Sequence, residues 1–161
     1  IMIDTNNFMN KTGVRTFEAA AFLRRAGADI TYIRKLFRDD MESYRAKAEI
    51  VRSTEVYRDV YAIAIGTNTN LDSPTIVGAQ AANELLNIAG IKASFVFTEY
   101  NGKIYLSARS IDEVNVQVIM ERLGGGGHLN IAGAQFPHTR LSEAVTQLKM
   151  TIDEMIEKGD L

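Results

Sequence analysis

The chain has 161 residues, 46% hydrophobic and 24% charged, with a net charge of −2 and no cysteine. That length carries one full core and a smaller appended piece. The composition excludes disulfides and thiolate metal sites and opposes broad binding to duplex nucleic acid, while a short or cyclic nucleotide needs only a few local donors.

No window approaches the roughly 18 apolar residues of a membrane span. Ile1-Met2-Ile3-Asp4 lacks the basic and apolar blocks of a signal peptide, so a cytosolic setting is expected. There is no internal repeat. The first helix is predicted from Thr16 to about Ala26, with Phe17, Ala20, Ala21 and Leu23 at helical spacing, Thr16 as N-cap and Gly27 as the stop. A second, short helix is expected over Ile30 to Arg38. Asp40 to about Ser53 reads as a helix of mixed charge with a solvated face, connecting two lobes.

The second lobe opens near Glu55. Val60 to Ile65 is nearly all apolar, which predicts a strand buried on both faces. Asn70 to Pro74 is a turn, followed by a helix from about Thr75 to Ala89 that Gly90 closes. Ala93 to Glu99 and Lys103 to Arg109 pair as a hairpin across Tyr100-Asn101-Gly102, since Asn-Gly is a strong hairpin signal. Val114 to Leu123 is helical, Ala132 to Phe136 is a strand, and Leu141 to about Lys158 is an amphipathic helix. The expected order β-α-β-β-α-β-α defines an α/β fold, a mixed sheet with helices packed on it.

Between the last two of those helices stands Gly124-Gly125-Gly126-Gly127-His128. Four glycines lose much conformational entropy on folding. In exchange they let a ligand approach bare backbone whose N–H groups can receive an anion, and His128 adds an imidazole donor. A phosphate-binding loop is one reading. A helix C-cap is the other, and it explains Gly124 but not the three that follow. Arg109, at a strand end between Ser107 and Ser110, offers a planar fork matched to phosphate, or is simply an exposed strand-end arginine. Arg15 either approaches a phosphate or steadies its own loop. Asp4, taken alone, reads as a turn former or cap. Phe136 is read as core, and His138 as part of a surface loop.

With their surroundings these residues become more specific. Asn115 to His128 followed by Ala132-Gly133-Ala134-Gln135 resembles the signature of the DHHA1 domain, the C-terminal half of the DHH-family phosphoesterases, and Ser107-Ala108-Arg109-Ser110 resembles that domain's arginine motif. Ile3-Asp4-Thr5-Asn6-Asn7-Phe8, with Thr12 to Ala21, resembles the last motif of the DHH domain itself. Within that family the chain looks like the end of the cyclic-di-AMP phosphodiesterases that carry a degenerate GGDEF domain. The resemblance implies a division into 1–38, the end of a DHH catalytic domain; 39–54, a helical linker; and 55–161, a DHHA1 substrate-binding domain. It implies two manganese ions with Asp4 as one ligand, and a substrate phosphate held by Arg109, Gly125, Gly126, Gly127 and His128, with Arg15 a further candidate. The implied reaction opens a cyclic dinucleotide to the linear one.

The family's other metal motifs, including the DHH triplet itself, are missing here; the only histidines are His128 and His138. A piece that begins inside the catalytic domain is therefore expected, inactive alone and partnered by an upstream DHH domain of the same polypeptide, with a homodimer a further candidate. Its parent would present it to the cytosol even if membrane-anchored. Two rivals remain: a sibling exonuclease acting on very short RNA and 3′-phosphoadenosine phosphate, and a non-catalytic nucleotide- or nucleic-acid-binding module.

Overall fold

Two units make up the structure, a computed structural model that describes residues 1–5, 7–9, 11–67 and 71–161; they are Ile1–Asp39 and Asp40–Leu161. In the first, a series of turns leads into α1 (Val14–Arg25) and α2 (Ile30–Leu36). The start of α1 lies two residues before the one expected. Gly13 occupies the N-cap, and Thr16 sits at the third helical position, where its hydroxyl accepts from the Gly13 N–H at 3.2 Å. A threonine there closes the cap from inside, so the cap signal is present but displaced.

Gly27 stops α1 in the left-handed region, φ +99°. Its N–H and that of Ala28 return to the carbonyls of Arg24 and Leu23, a Schellman closure. Asp29 then caps α2 by accepting from the Tyr32 N–H at 3.0 Å. Thr5 is the only buried residue among the described ones of this unit, while Phe22 and Leu36 are 63% and 66% exposed.

The second unit begins with α3 (Met41–Arg52), capped by Asp40, which accepts from the Ser43 N–H at 2.8 Å. One side of α3 buries Ala46 and Ile50 against the apolar cluster built on α4 (Pro74–Leu85). The segment expected as a solvated connector is thus built into this unit. Its period-3.6 apolar pair was legible, but not what it packs on.

Six strands form one sheet in the order β1-β2-β3-β4-β6-β5: β1 (Glu55–Tyr57), β2 (Tyr61–Gly66), β3 (Ala93–Tyr100), β4 (Lys103–Ser110), β5 (Gly126–His128) and β6 (Ile131–Pro137). Only β2 and β3 run parallel, joined by α4; the other neighbours are antiparallel. Pro74 opens α4 at its first position, where its missing N–H costs nothing. The helix ends at Leu85 rather than Ala89, and tight turns from Leu86 to Ile88 carry the chain to Gly90. Asn70, at the head of the turn expected before α4, lies outside the described residues. The Asn-Gly hairpin is as expected: Asn101 and Gly102 sit at φ +49° and +70° between the paired Tyr100 and Lys103.

Strand alternation divides the sheet into two faces. Phe95, Phe97, Leu106, Ala108, Ala134 and Phe136 pack with α5 (Val116–Arg122) and α6 (Leu141–Lys158). Ala62, Ala64 and Val96 pack with α4 and α3. β3 is therefore buried from both sides, and the hydroxyl of its fully buried Ser94 donates to the Ala82 carbonyl at 2.6 Å.

β1 was not anticipated, since three residues carry no readable period. Side chains from α6 hold it in place. Lys149 pairs with Glu55 at 2.8 Å and lies over the Tyr57 ring, while Asp153 accepts from the Tyr57 hydroxyl at 2.7 Å and from Arg58 Nε at 3.0 Å. The Tyr57 hydrogen bond, and then Arg58, hold the Asp153 carboxyl below the usual carboxylate range. A depressed folded-state pKa stabilises the protein above the unfolded value of about 3.9, and that contribution is lost as pH falls through the folded value. Tyr57→Phe is expected to flatten the acid side of the urea-midpoint profile below about pH 4. A profile with an unchanged slope would show that this cluster carries no linkage.

Candidate functional site

The glycine run follows directly from the helix before it. In α5, Val116, Ile119 and Met120 are buried, and the cap Asn115 accepts from the Gln117 N–H at 3.1 Å. At the other end Gly124 turns left-handed at φ +76°; its N–H returns to Glu121 O at 3.1 Å, and that of Gly125 to Met120 O at 2.8 Å. This is a Schellman closure. It commits the Gly125 amide, so that amide is not a donor for a ligand. What Gly125 supplies is room, because a Cβ there would overlap the Gly133 carbonyl oxygen and come within 2.7 Å of Ala134 Cα.

Gly126 to His128 are not a free loop either. They form β5, an edge strand that a two-residue turn, Leu129-Asn130, folds back onto β6. Gly127 has φ +150°, and a Cβ there would come within 2.5 Å of both Ala132 Cα and Ile131 O. Helix cap and strand pairing each claim part of the run, and the alternating clash-free and clashing positions record close backbone packing.

The register places the candidate side chains. Arg109 pairs with Ile131, and Ile131 pairs with His128. Directly paired residues project to the same side, so Arg109 and His128 share one face, about 10 Å apart at Cα across two strand spacings. Arg109 also pairs with Ser94, whose hydroxyl bonds the helix α4, so this is the α4 side of the sheet. The next row along is Ser107, Gly133 and Gly126, and the one after it pairs Tyr105 with Gln135.

Arg109 Nη1 donates to its neighbour's carbonyl, Ala108 O, at 2.9 Å. Its Nε is buried without a partner, and burial pushes its pKa down. A buried guanidinium N–H with no acceptor is costly and suits an incoming anion. His128 is exposed. Beside this row lies an open groove of about 420 Å³ bounded by Thr75, Tyr105, Ser107, Gly124, Gly133 and Gln135. Tyr105 was not singled out from the sequence, and Ser107 and Gln135 entered only as parts of the two motifs quoted around Arg109 and after His128. The signal for Tyr105 was the alternation 105, 107, 109 that ends on the arginine.

In the first unit, Asp4 lies in the opening turns with its side chain 84% exposed, beside an apolar cavity of about 470 Å³ lined by Ile1, Phe8, Leu23, Ile33 and Phe37 among others. Arg15 is exposed in the first turn of α1. Asn6, part of the motif around Asp4, lies outside the described residues. Among the described residues no three His, Asp or Glu side chains group closely enough to hold a metal ion. Asp4 is thus an isolated carboxylate among the described residues, which do not by themselves fit a two-metal centre.

Residues 60–158 match the DHHA1 domain, and the chain belongs to that family. It is 43% identical over 154 residues to the cyclic-di-AMP phosphodiesterase PdeA of Listeria monocytogenes, covering 95% of this chain and 23% of that protein. It is 41% identical over 161 residues to the cyclic-di-AMP phosphodiesterase GdpP of Bacillus subtilis, covering 99% of this chain and 24% of that protein. The chain thus spans about a quarter of the length of these relatives. Among solved structures, an exopolyphosphatase-related protein from Bacteroides fragilis has the same fold, with a TM-score of 0.83 at 22% identity over 96% of this chain and 47% of that one. Among the described residues no helix is long and apolar enough to cross a membrane.

Proposed function

We propose that this chain is the substrate-gripping part of a phosphodiesterase that opens cyclic-di-AMP to the linear dinucleotide. The observation that carries this reading is the cross-strand row in which Arg109, with a buried unpartnered N–H, and His128 share the open α4-side face of the sheet. Such a pair offers a guanidinium fork and an imidazole donor to one phosphate. Gly126 and Gly133 keep the ground between them and the groove free of side chains. The names of the relatives supply the reaction and substrate.

On this reading Asp4 contributes one carboxylate to a manganese centre completed by residues outside 1–161. The exposed apolar side chains of the first unit are then the uncovered part of a larger catalytic domain. One carboxylate does not hold two divalent ions, so the chain of 161 residues is expected to be inactive by itself.

The test is manganese-dependent hydrolysis by the full-length protein, comparing cyclic-di-AMP, pApA and 3′-phosphoadenosine phosphate. Arg109→Ala and His128→Ala are each expected to raise KM for cyclic-di-AMP about tenfold or more, since a hydrogen bond to a charged group contributes about 1.5–3 kcal/mol. Metal content should stay unchanged in both. Much faster turnover of 3′-phosphoadenosine phosphate would assign the protein to the exonuclease-phosphatase branch. Binding of single-stranded RNA without hydrolysis of any of the three would make it a binding module.

A further inference from the structure

We propose that Tyr105 and Gln135 form a base-reading subsite that selects adenine over guanine, at the far end of the groove from Arg109. The inference rests on the nucleotide-binding reading above and names the part of the ligand that this end of the groove receives.

The two residues are direct partners in the β4–β6 ladder, so their side chains leave adjacent strands on the same face. They stand four residues along β4 from Arg109, about 13 Å at the rise of an extended strand. A phosphate, a sugar and a base laid end to end fill such a span. The row between them, Ser107 with Gly133, is low. A Cβ at Gly133 would come within 2.9 Å of Leu106 O, so no side chain larger than the serine rises from that floor. Gly124 and Thr75 close the sides of the groove.

Tyr105 is half-buried and Gln135 exposed, and among the described residues neither side chain has a hydrogen-bond partner. Two free polar groups on a groove floor are available to a ligand. Their chemistry is specific. A tyrosine ring is a stacking platform for any base. A glutamine amide holds an acceptor and a donor side by side, which matches the N6 donor and N7 acceptor of adenine. Guanine presents acceptors at both O6 and N7, which leaves the glutamine carbonyl facing an acceptor.

The experiment is calorimetric binding of 5′-AMP, 5′-GMP and ribose 5-phosphate to the full-length protein and its variants. The unaltered protein is expected to bind 5′-AMP about tenfold more tightly than 5′-GMP. Gln135→Leu should bring the two within about twofold, with ribose 5-phosphate unaffected. Tyr105→Ala should weaken both nucleotides about tenfold and again leave ribose 5-phosphate alone, while Tyr105→Phe keeps the ring and the affinity. An AMP-to-GMP ratio unchanged by Gln135→Leu overturns the subsite, as does a wild-type protein indifferent to the base. Those outcomes leave the nucleotide reading standing, provided that Arg109→Ala still weakens ribose 5-phosphate binding about tenfold or more. If neither nucleotide, ribose 5-phosphate nor cyclic-di-AMP binds, the functional reading fails and the subsite falls with it.

Discussion

Gly125→Ala is expected to cost about 3 kcal/mol of stability in the second unit, and Gly127→Ala at least as much, because each new methyl group meets main-chain atoms that have nowhere to go. At Gly125 the obstacle is the Gly133 carbonyl together with Ala134; at Gly127 it is Ala132 and Ile131, with a left-handed φ of +150° adding backbone strain. Gly126→Ala is the internal control. Nothing lies within 4 Å of a Cβ there, and the change should stay within about 0.5 kcal/mol. Urea midpoints of the three variants check the pattern. Equal effects at all three positions would mean that the run is a mobile ligand loop rather than a cap and a strand.

Phe97→Ala should be comparably damaging, at about 3–5 kcal/mol, from the lost transfer energy and the cavity left in a packed core. Phe97 is fully buried, with its ring 6.3 Å from that of Phe136. It pairs with Ile65 on one side and Leu106 on the other, so the site cannot collapse from either strand. Against a typical total of about 5–15 kcal/mol, the variant is expected to fold marginally. A thermal or urea transition displaced by less than the equivalent of about 1 kcal/mol would show that the core repacks around the gap.

Much of this architecture was readable from local signals. Asn101-Gly102 announced its hairpin, Gly27 its helix end, and the unbroken apolar run before Gly66 a doubly covered strand, each because a residue type meets a backbone demand that few others satisfy. The short pieces were not readable. β1 exists because Lys149 and Asp153 of α6 hold it, some ninety residues away in sequence. α3 is part of the second unit because Ala46 and Ile50 find α4.

For the site, the sequence by itself determined which residue types are present and how the arginine strand alternates: a guanidinium at 109, an imidazole at 128, and glycines between them and the end of α5. Only the tertiary structure decided that Gly125 spends its amide on Met120, that Gly126 to His128 pair as an edge strand, and that Arg109 and His128 rise from one face with Tyr105 and Gln135 farther along. The last of those outcomes depends on the register of β4 against β6, strands distant in sequence. A slip of one residue would send every one of these side chains to the opposite face, and no local preference encodes that choice.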